Sequence, residues 1–225
     1  MRRQLDNIFW HALSGDQHRF ALGSNQARRF APGFPAILAF PDPERPRLDA
    51  LNAVCARGEA FYVDGWSGPP PAGWQIDAER TMDKMIWTAS KALPVAEPDA
   101  VRLSAEHLPQ MLALIDLTRP GPFGPRSLEL GDYFGLFERG ALVAMAGERA
   151  HHGPLREISA VATHPDCQGR GLARELMSHL MHRQLQRGET PFLHVMSDNA
   201  AARSAYLRLG FEDHRTSVVR VISRQ

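Results

Sequence analysis

The clearest chemical signal in the sequence is the segment Gln168–Ala173, which reads Gln-Gly-Arg-Gly-Leu-Ala. Its two glycines allow backbone conformations and close approaches that a Cβ atom would forbid. The segment leads into a predicted helix, and the first amide groups of a helix have no partner within it. These amides and the positive end of the helix dipole suit a phosphate or a pyrophosphate. A tight turn without a ligand is the alternative, because the segment matches neither a Walker A loop nor a dinucleotide fingerprint.

The elements around this segment are a strand, a helix and a second strand. Glu157–Thr163 is a predicted strand that ends at His164-Pro165-Asp166, and a helix is predicted from about Gly171 to Gln186. That helix is amphipathic, since its apolar residues fall in two adjacent i,i+4 rows. The rows are Leu172, Leu176 and Leu180, and Ala173, Met177 and Met181. Phe192–Met196 is the next predicted strand.

In the second half of the chain, the residue patterns predict the element order β-α-β-β-β-α-β-α-β, which indicates a mixed α/β sheet. Arg139-Gly140 is a candidate hairpin turn, and Asn199 is placed to start a short helix. The predicted elements not yet named are the strands Ala100–Leu103, Tyr133–Glu138, Leu142–Glu148 and Val218–Ile222, and a helix containing Leu108, Met111, Leu112 and Ile115.

The first half contains no chemical motif but has the apolar positions of a folded segment. Ala36–Phe40 and Ala60–Val63 are predicted strands, Leu48–Arg57 a helix and Arg80–Ala89 an edge strand. Pro94–Pro98 is a plausible linker. The sequence therefore predicts an N-terminal α/β domain of unknown role at residues 1–98 and a second domain at residues 99–225.

Composition excludes several classes of protein. The chain has 225 residues, of which 44% are apolar and 23% charged, as in globular proteins. Its 26 basic and 25 acidic residues leave a net charge of +1, so no basic field indicates nucleic-acid binding. Two cysteines outside any C-x-x-C pair speak against a disulfide framework or a cysteine zinc site. Without an apolar run of ~20 residues or a leader, we expect a cytoplasmic protein with no membrane partner.

Residues 99–222 resemble the GNAT superfamily of acyl-CoA-dependent N-acetyltransferases. The family's Arg/Gln-x-x-Gly-x-Gly/Ala loop is matched by Gln168, Gly171 and Ala173. The preceding segment 157–166 and the later segment 199–211 are also typical of the family. The finer resemblance is to the glycine N-acyltransferase-like branch. The resemblance to the superfamily implies a mixed, splayed central sheet flanked by helices. The N-terminal half lies outside the resemblance, and its strand–helix–strand pattern at Ala36–Val63 would permit a degenerate copy of the same fold.

The resemblance also implies the cofactor site. Acetyl-CoA would be the co-substrate, with no metal, and backbone amides of the loop would hold its pyrophosphate. The strand before the loop would offer backbone groups to the pantetheine arm, in a gap between two splayed strands. The residues implied are Val161, Ala162, Thr163, Gln168, Gly169, Arg170, Gly171, Leu172, Ala173, Arg174 and Asn199. Asn199 as a plain helix N-cap and Arg170 as a solvated side chain are the alternatives.

Transfer of an acetyl group to an amine needs an acid for the departing thiolate and a base for the ammonium. The resemblance makes Tyr206 the acid, seven residues after Asn199; the alternative is an aromatic core residue. Two residues compete as the base, Glu157 and His194, and water chains or an acceptor-site group are further alternatives. Glu157 paired with an arginine and His194 as a core histidine are the non-catalytic interpretations.

The acceptor is expected to be a small-molecule or peptide amine, and the oligomeric state is left open. Asp116, Arg119 and Phe123 are candidates for shaping the acceptor site. Cys167 is not expected to form an acyl-enzyme, because no histidine and acidic partner adjoin it. The alternatives to an enzyme are a non-catalytic acyl-CoA-binding regulatory module and an unrelated nucleotide-binding α/β protein.

Overall fold

The computed structural model describes residues 2–88, 93 and 99–225. Within them, eleven strands form one sheet around which the helices pack. The strands are β1 Ala21–Gly23, β2 Arg28–Phe30, β3 Ile37–Ala39, β4 Ala60–Asp64, β5 Trp74–Trp87, β6 Val101–Arg102, β7 Tyr133–Glu138, β8 Ala141–His152, β9 Leu155–Thr163, β10 Thr190–Met196 and β11 Phe211–Arg224. The α-helices are α1 Arg2–Asp6, α2 Ile8–Ser14, α3 Leu108–Thr118, α4 Leu172–Gln186 and α5 Ala200–Arg208.

The order of strands across the sheet is β1-β2-β3-β4-β11-β5-β10-β9-β8-β7-β6. Strand β5 from the first half of the chain therefore lies between β10 and β11 from the second half. It is antiparallel to both, with thirteen paired positions along β11. The segments on either side of residue 98 thus share one continuous sheet, and the division into two domains stays a prediction.

The second half has the predicted order β-α-β-β-β-α-β-α-β, which confirms the mixed α/β assignment. The turn between β7 and β8 is at Arg139-Gly140, where both residues have positive φ, 50° and 81°. Two successive residues with positive φ match the type I′ turn that favours a hairpin. Helix α4 buries its two predicted rows against the sheet through Leu176, Met177, Leu180 and Met181.

The feature that opens the site is the divergence of β9 and β10. These parallel strands pair only from Thr190 with Leu155 to Leu193 with Ile158. Beyond that point the rest of each strand runs on without a partner on this side, which confirms the expected splay. A bulge lies in the same part of β9, where Ala160 has φ 52° and the register with β8 shifts. A bulge bends its strand and turns the following residues away from regular pairing.

Two predictions in the first half differ from the structure. Leu48–Arg57 forms only a 3₁₀ helix at Leu48–Leu51; the amides of Val54 and Cys55 both bond to the Leu51 carbonyl, so the segment continues as turns and not as a regular helix. The segment predicted as an edge strand, Arg80–Ala89, lies inside the central strand β5; its last residue and the predicted linker Pro94–Pro98 lie outside the described residues. The polar residues of this segment made it resemble an edge strand, because within it only the side chains of Met82–Ile86 are buried.

Strand β11 is much longer than the predicted Val218–Ile222. Its first part is rich in charged and polar residues, which hid it from a search for apolar alternation. Pairing with β5 stabilises the extended conformation of this polar part, because backbone hydrogen bonds form between strands whatever the side-chain type.

Helices α1 and α2 were not predicted at all. Their apolar residues Leu5, Ile8, Phe9 and Leu13 are buried in a cluster that includes Phe192 of β10. This packing places α2 on the face of the sheet opposite α4. No helix in the described part of the chain is long and apolar enough to cross a membrane.

Candidate active site

A cavity of about 830 Å³ lies at the gap between β9 and β10. Leu193 and Val195 of β10 face α4, whereas Phe192 packs on the α2 side of the sheet. Residues from both sides line the cavity, among them Met177 of α4 and Phe9 of α2. The cavity therefore passes through the gap and connects the two faces of the sheet.

The amide groups that precede and begin α4 lie along this cavity. The backbone N–H groups of residues 169–174 make no hydrogen bond within the described residues, although the neighbouring Gln168 and Glu175 amides do. Gly169 and Gly171 have φ of 77° and 85°, and a Cβ at Gly169 would meet nothing within 4 Å. Six open amides at a helix N-terminus form a strong anion-binding arrangement.

The structure brings together every sequence-predicted cofactor residue. The lining includes Val161, Ala162, Thr163, Gln168, Gly169, Arg170, Gly171, Leu172, Ala173, Arg174 and Asn199. Gln168 donates from Nε2 to the Thr163 carbonyl at 3.4 Å, which ties the loop to the strand before it. The side chain of Arg170 is directed to Glu138, 2.5 Å away, so its backbone rather than its guanidinium faces the loop's interior.

The charge of the cavity favours a polyanion. Its lining contains one acidic residue in the described chain, Asp64, against five arginines. The arginines are Arg119, Arg149, Arg170, Arg174 and Arg208. Asp64 is neutralised by Lys84, whose Nζ is 2.7 Å away. Arg149 and Arg170 are likewise paired, with Glu157 and Glu138, so the remaining positive charge comes from Arg119, Arg174 and Arg208. These three arginines and the six amides fit the phosphate groups of a coenzyme A derivative.

A buried network joins the two residues predicted as alternative bases. Glu157 receives hydrogen bonds from Nε and Nη2 of Arg149 at 2.9 and 2.5 Å and from the Ala150 amide at 3.0 Å. Its Oε1 is also 2.7 Å from Nδ1 of His194. Less than a tenth of each of the three side chains is exposed. Glu157 itself does not line the cavity, whereas His194 and Arg149 do.

The network fixes the protonation of Glu157 and the orientation of His194. Burial alone would raise the pKa of the Glu157 carboxyl, but Arg149 and His194 beside it hold that pKa well below its usual range. An ionised carboxylate only accepts hydrogen bonds, so Nδ1 of His194 is the donor. The lone pair of the neutral imidazole is then on Nε2, which is buried and has no partner in the described chain.

Phe9 and Arg149 are site residues that sequence reasoning missed. The Phe9 ring stacks on the His194 imidazole, with centroids 5.2 Å apart and planes 15° apart. Arg149 lies 5.5 Å from the centre of the same phenyl ring. A cation in the otherwise apolar stretch of β8 was a signal for Arg149, but nothing local marks Phe9, which reaches the site only through the packing of α2.

Tyr206 and Asn199 of helix α5 also line the cavity. Burial raises the pKa of the Tyr206 phenol to about 12. Its hydroxyl makes no hydrogen bond within the described residues, while its ring packs edge-on against Phe211. Asn199 caps α5, because its side chain accepts a hydrogen bond from the Ala202 amide at 3.1 Å. The capping interpretation is therefore correct, and the Asn199 amide group is still available to the cavity.

Of the three acceptor-site candidates, Arg119 lines the cavity but Asp116 and Phe123 do not. Cys167 is buried beside the loop and is a free thiol. No three histidine, cysteine, aspartate or glutamate side chains of residues 2–88 and 99–225 form a group that could hold a metal ion.

Comparison with known sequences matches residues 133–221 to the model of the family described as FR47-like protein. The mycothiol acetyltransferase of Tsukamurella paurometabola is 45% identical over 65 residues, which are 28% of this chain and 22% of that protein. The mycothiol acetyltransferase of Streptomyces scabiei is 30% identical over 136 residues, or 57% and 44% of the two chains. This chain therefore spans less than half the length of either relative.

Comparison with solved structures extends over the whole chain. A protein of Novosphingobium aromaticivorans described as a GNAT-family acetyltransferase has a TM-score of 0.88 and 28% identity, with 98% of each chain covered. A structure from Kribbella flavida has a TM-score of 0.62 at 15% identity and covers 99% of this chain and 95% of that one, which shows a shared fold.

Three observations support the same fold. They are the splayed sheet, the loop of open amides at the start of α4 and the whole-chain match at 28% identity. This chain has the GNAT fold, and its residues 133–221 match the FR47-like family model.

Proposed function

We propose that the protein is an N-acetyltransferase that moves an acetyl group from acetyl-CoA directly to a primary amine. One observation carries the proposal: the six unpaired amides at residues 169–174 and His194, whose buried Nε2 has no partner in the described chain, belong to the lining of the same cavity. The first feature fits a diphosphate and the second a base, and an acetyltransferase needs both.

The residues present fit coenzyme A. Backbone amides of residues 169–174 would hold its diphosphate, and the backbone of Val161–Thr163, which follows the bulge at Ala160, would face its pantetheine arm. Asn199 has a free amide group for the same arm. When bound, acetyl-CoA supplies an activated acyl thioester. The chain would place that thioester in the gap between β9 and β10. It would also remove a proton from the amine and donate a proton to the departing thiolate.

His194 is the general base in this account. An alkylamine is mostly protonated at neutral pH, so a proton must leave before the nitrogen attacks. Nε2 of His194 takes that proton, while Glu157 holds Nδ1 and stabilises the imidazolium that forms. Arg149 holds Glu157 in turn through two hydrogen bonds. Glu157 is a positioning residue, because its oxygens are occupied and it lies outside the cavity.

Tyr206 is the acid. With a pKa of about 12 its phenol stays protonated across the working range of pH. Its unbonded hydroxyl would donate to the sulfur as the thiolate departs. No covalent enzyme intermediate is needed, so Cys167 has no part in the reaction.

The relatives support acetyl transfer but leave the acceptor open. Those in Tsukamurella paurometabola and Streptomyces scabiei are named for acetyl transfer and match this chain over 65 and 136 residues. Their name is not a basis for assigning their acceptor here, because this chain spans less than half of their length. The placement nearest the glycine N-acyltransferase-like branch is likewise a proposal.

The experiment is a thiol-release assay with acetyl-CoA and a panel of amines, performed on the full chain and on His194→Gln. We expect amine-dependent release of coenzyme A, reduced about 100-fold or more in the variant, the size of a lost general base. Calorimetric affinity for acetyl-CoA is expected to stay unchanged.

The matched control is His182→Gln on α4, whose Nδ1 is 2.8 Å from the Ser178 carbonyl and which does not line the cavity. It should keep full activity. Tight binding of acetyl-CoA without turnover on any amine would favour the non-catalytic regulatory module instead.

A further inference from the structure

The part of the cavity beyond His194, away from the amide loop, is built by the N-terminal half and β11. We call it the acceptor end and define it by the residues Phe9, Ile37, Tyr62, Met82 and Val219. They come from α2, β3, β4, β5 and β11, and β5 joins this part of the sheet to β10, which carries His194. The wall beside the base is therefore specific to the way this chain folds.

The acceptor end is apolar where it is most enclosed. Phe9, Ile37, Met82 and Val219 are each less than a tenth exposed, and Tyr62 adds a half-buried aromatic ring. Phe9 stacks directly on His194, so an aromatic face adjoins the base. An apolar group of the acceptor would gain free energy by displacing water from these surfaces.

The charges of the acceptor end are already paired. Asp64 is bound to Lys84 at 2.7 Å and accepts a hydrogen bond from Ser217 at 2.5 Å. Arg149 is bound to Glu157. Asp64 is the one acidic residue of the lining in the described chain, and the other charged residues there are arginines. A second ammonium group on the acceptor would find no free carboxylate here, and an unpaired buried charge is costly.

We infer that the acceptor is a small primary amine with one apolar or aromatic group and no second cationic group. The inference rests on the proposed function and names the substrate class of the same site. It predicts that polyamines and aminoglycosides are poor acceptors even though their amines are reactive.

The test uses two amines of equal length, hexylamine and hexamethylenediamine, with phenethylamine and spermidine as further members. We expect kcat/KM for hexylamine and phenethylamine to exceed that for the two polycations by about tenfold or more, because the second charge must be desolvated without a partner.

Two variants localise the effect. Met82→Glu should shift the ratio toward hexamethylenediamine by supplying a free carboxylate, whereas Met82→Leu should leave the ratio unchanged. If thermal unfolding shows that Met82→Glu is not folded, the comparison of kcat/KM among the amines on the native chain still tests the inference.

Equal or better use of the polycations would overturn the inference, and so would turnover of a polycation without turnover of either apolar amine. Both results require an active acetyltransferase. Failure of acetyl-CoA to bind, or its binding without turnover of any of the four amines, would instead overturn the proposed function, so the two failures are distinguishable.

Discussion

At the scale of single residues, the sequence singled out two candidate bases that the fold brings into contact, but it could not divide their roles. Both Glu157 and His194 were candidate bases. Only the fold shows that Glu157 is enclosed by Arg149, Ala150 and His194, and that Nε2 of His194 faces no partner in the described chain. Arg149 lies eight residues from Glu157 on the adjacent strand, and sequence spacing does not reveal a pairing across strands whose register is broken by a bulge.

The role of Tyr206 is tested by Tyr206→Phe, which removes the hydroxyl and keeps the ring packed on Phe211. We expect kcat to fall about 100-fold, the lower end of general-acid catalysis, with the affinity for acetyl-CoA unchanged. Single-turnover kinetics measure the chemical step. Undiminished single-turnover rates would show that the phenol serves only the core.

The buried pair makes a prediction about stability and pH. Because the folded protein holds the pKa of Glu157 below its ordinary value, its ionisation adds to the free energy of unfolding above the usual carboxyl pKa of about 4.3. That contribution is lost progressively as the pH falls from about 5 toward the lower folded-state value.

Glu157→Gln removes this group, so the free energy of unfolding should depend less steeply on pH below about 5. The variant should also be less stable near neutrality by about 3–5 kcal/mol, since Arg149 is left buried without its anion. Urea unfolding from pH 3 to 7 provides the measurement. An acid limb as steep as that of the native chain would contradict the assignment.

At the scale of elements, the strongly periodic segments were predictable and the context-dependent ones were not. Helix α4 and the β7–β8 hairpin follow from apolar rows and from Arg139-Gly140. Strand β11 does not follow from its own sequence pattern, because backbone pairing with β5 determines where it begins. Helix α2 carries a wall of the site through Phe9, yet seven residues give too little periodicity for a prediction.

The start of α4 is tested by Gly171→Ala, with Gly188→Ala as the matched control. Both glycines have positive φ, 85° and 72°, so each change should cost about 1 kcal/mol of stability. Only Gly171 lines the cavity. We expect affinity for acetyl-CoA to fall in Gly171→Ala alone, as measured by calorimetry, and equal affinities in both variants would refute the role of this turn.

At the scale of the whole molecule, the N-terminal half is part of the sheet that holds the site. Strand β5 separates β10 from β11, and Lys84 within it is buried against Asp64 and the Asp6 carbonyl. A chain of residues 99–225 would leave both flanking strands with unpaired edges. We therefore expect that fragment to lack a cooperative thermal transition. A cooperative transition and bound acetyl-CoA in the fragment would instead support two independent domains.

The most direct test of the account compares acetyl-CoA with acetyl-pantetheine, which keeps the thioester and lacks the diphosphate. If the amides of residues 169–174 grip that diphosphate, calorimetry on the full chain should show acetyl-pantetheine binding at least about 100-fold more weakly, since hydrogen bonds to charged groups are worth about 1.5–3 kcal/mol each. Equal affinity for the two compounds would contradict the account, because the open end of α4 would then contribute nothing to recognition.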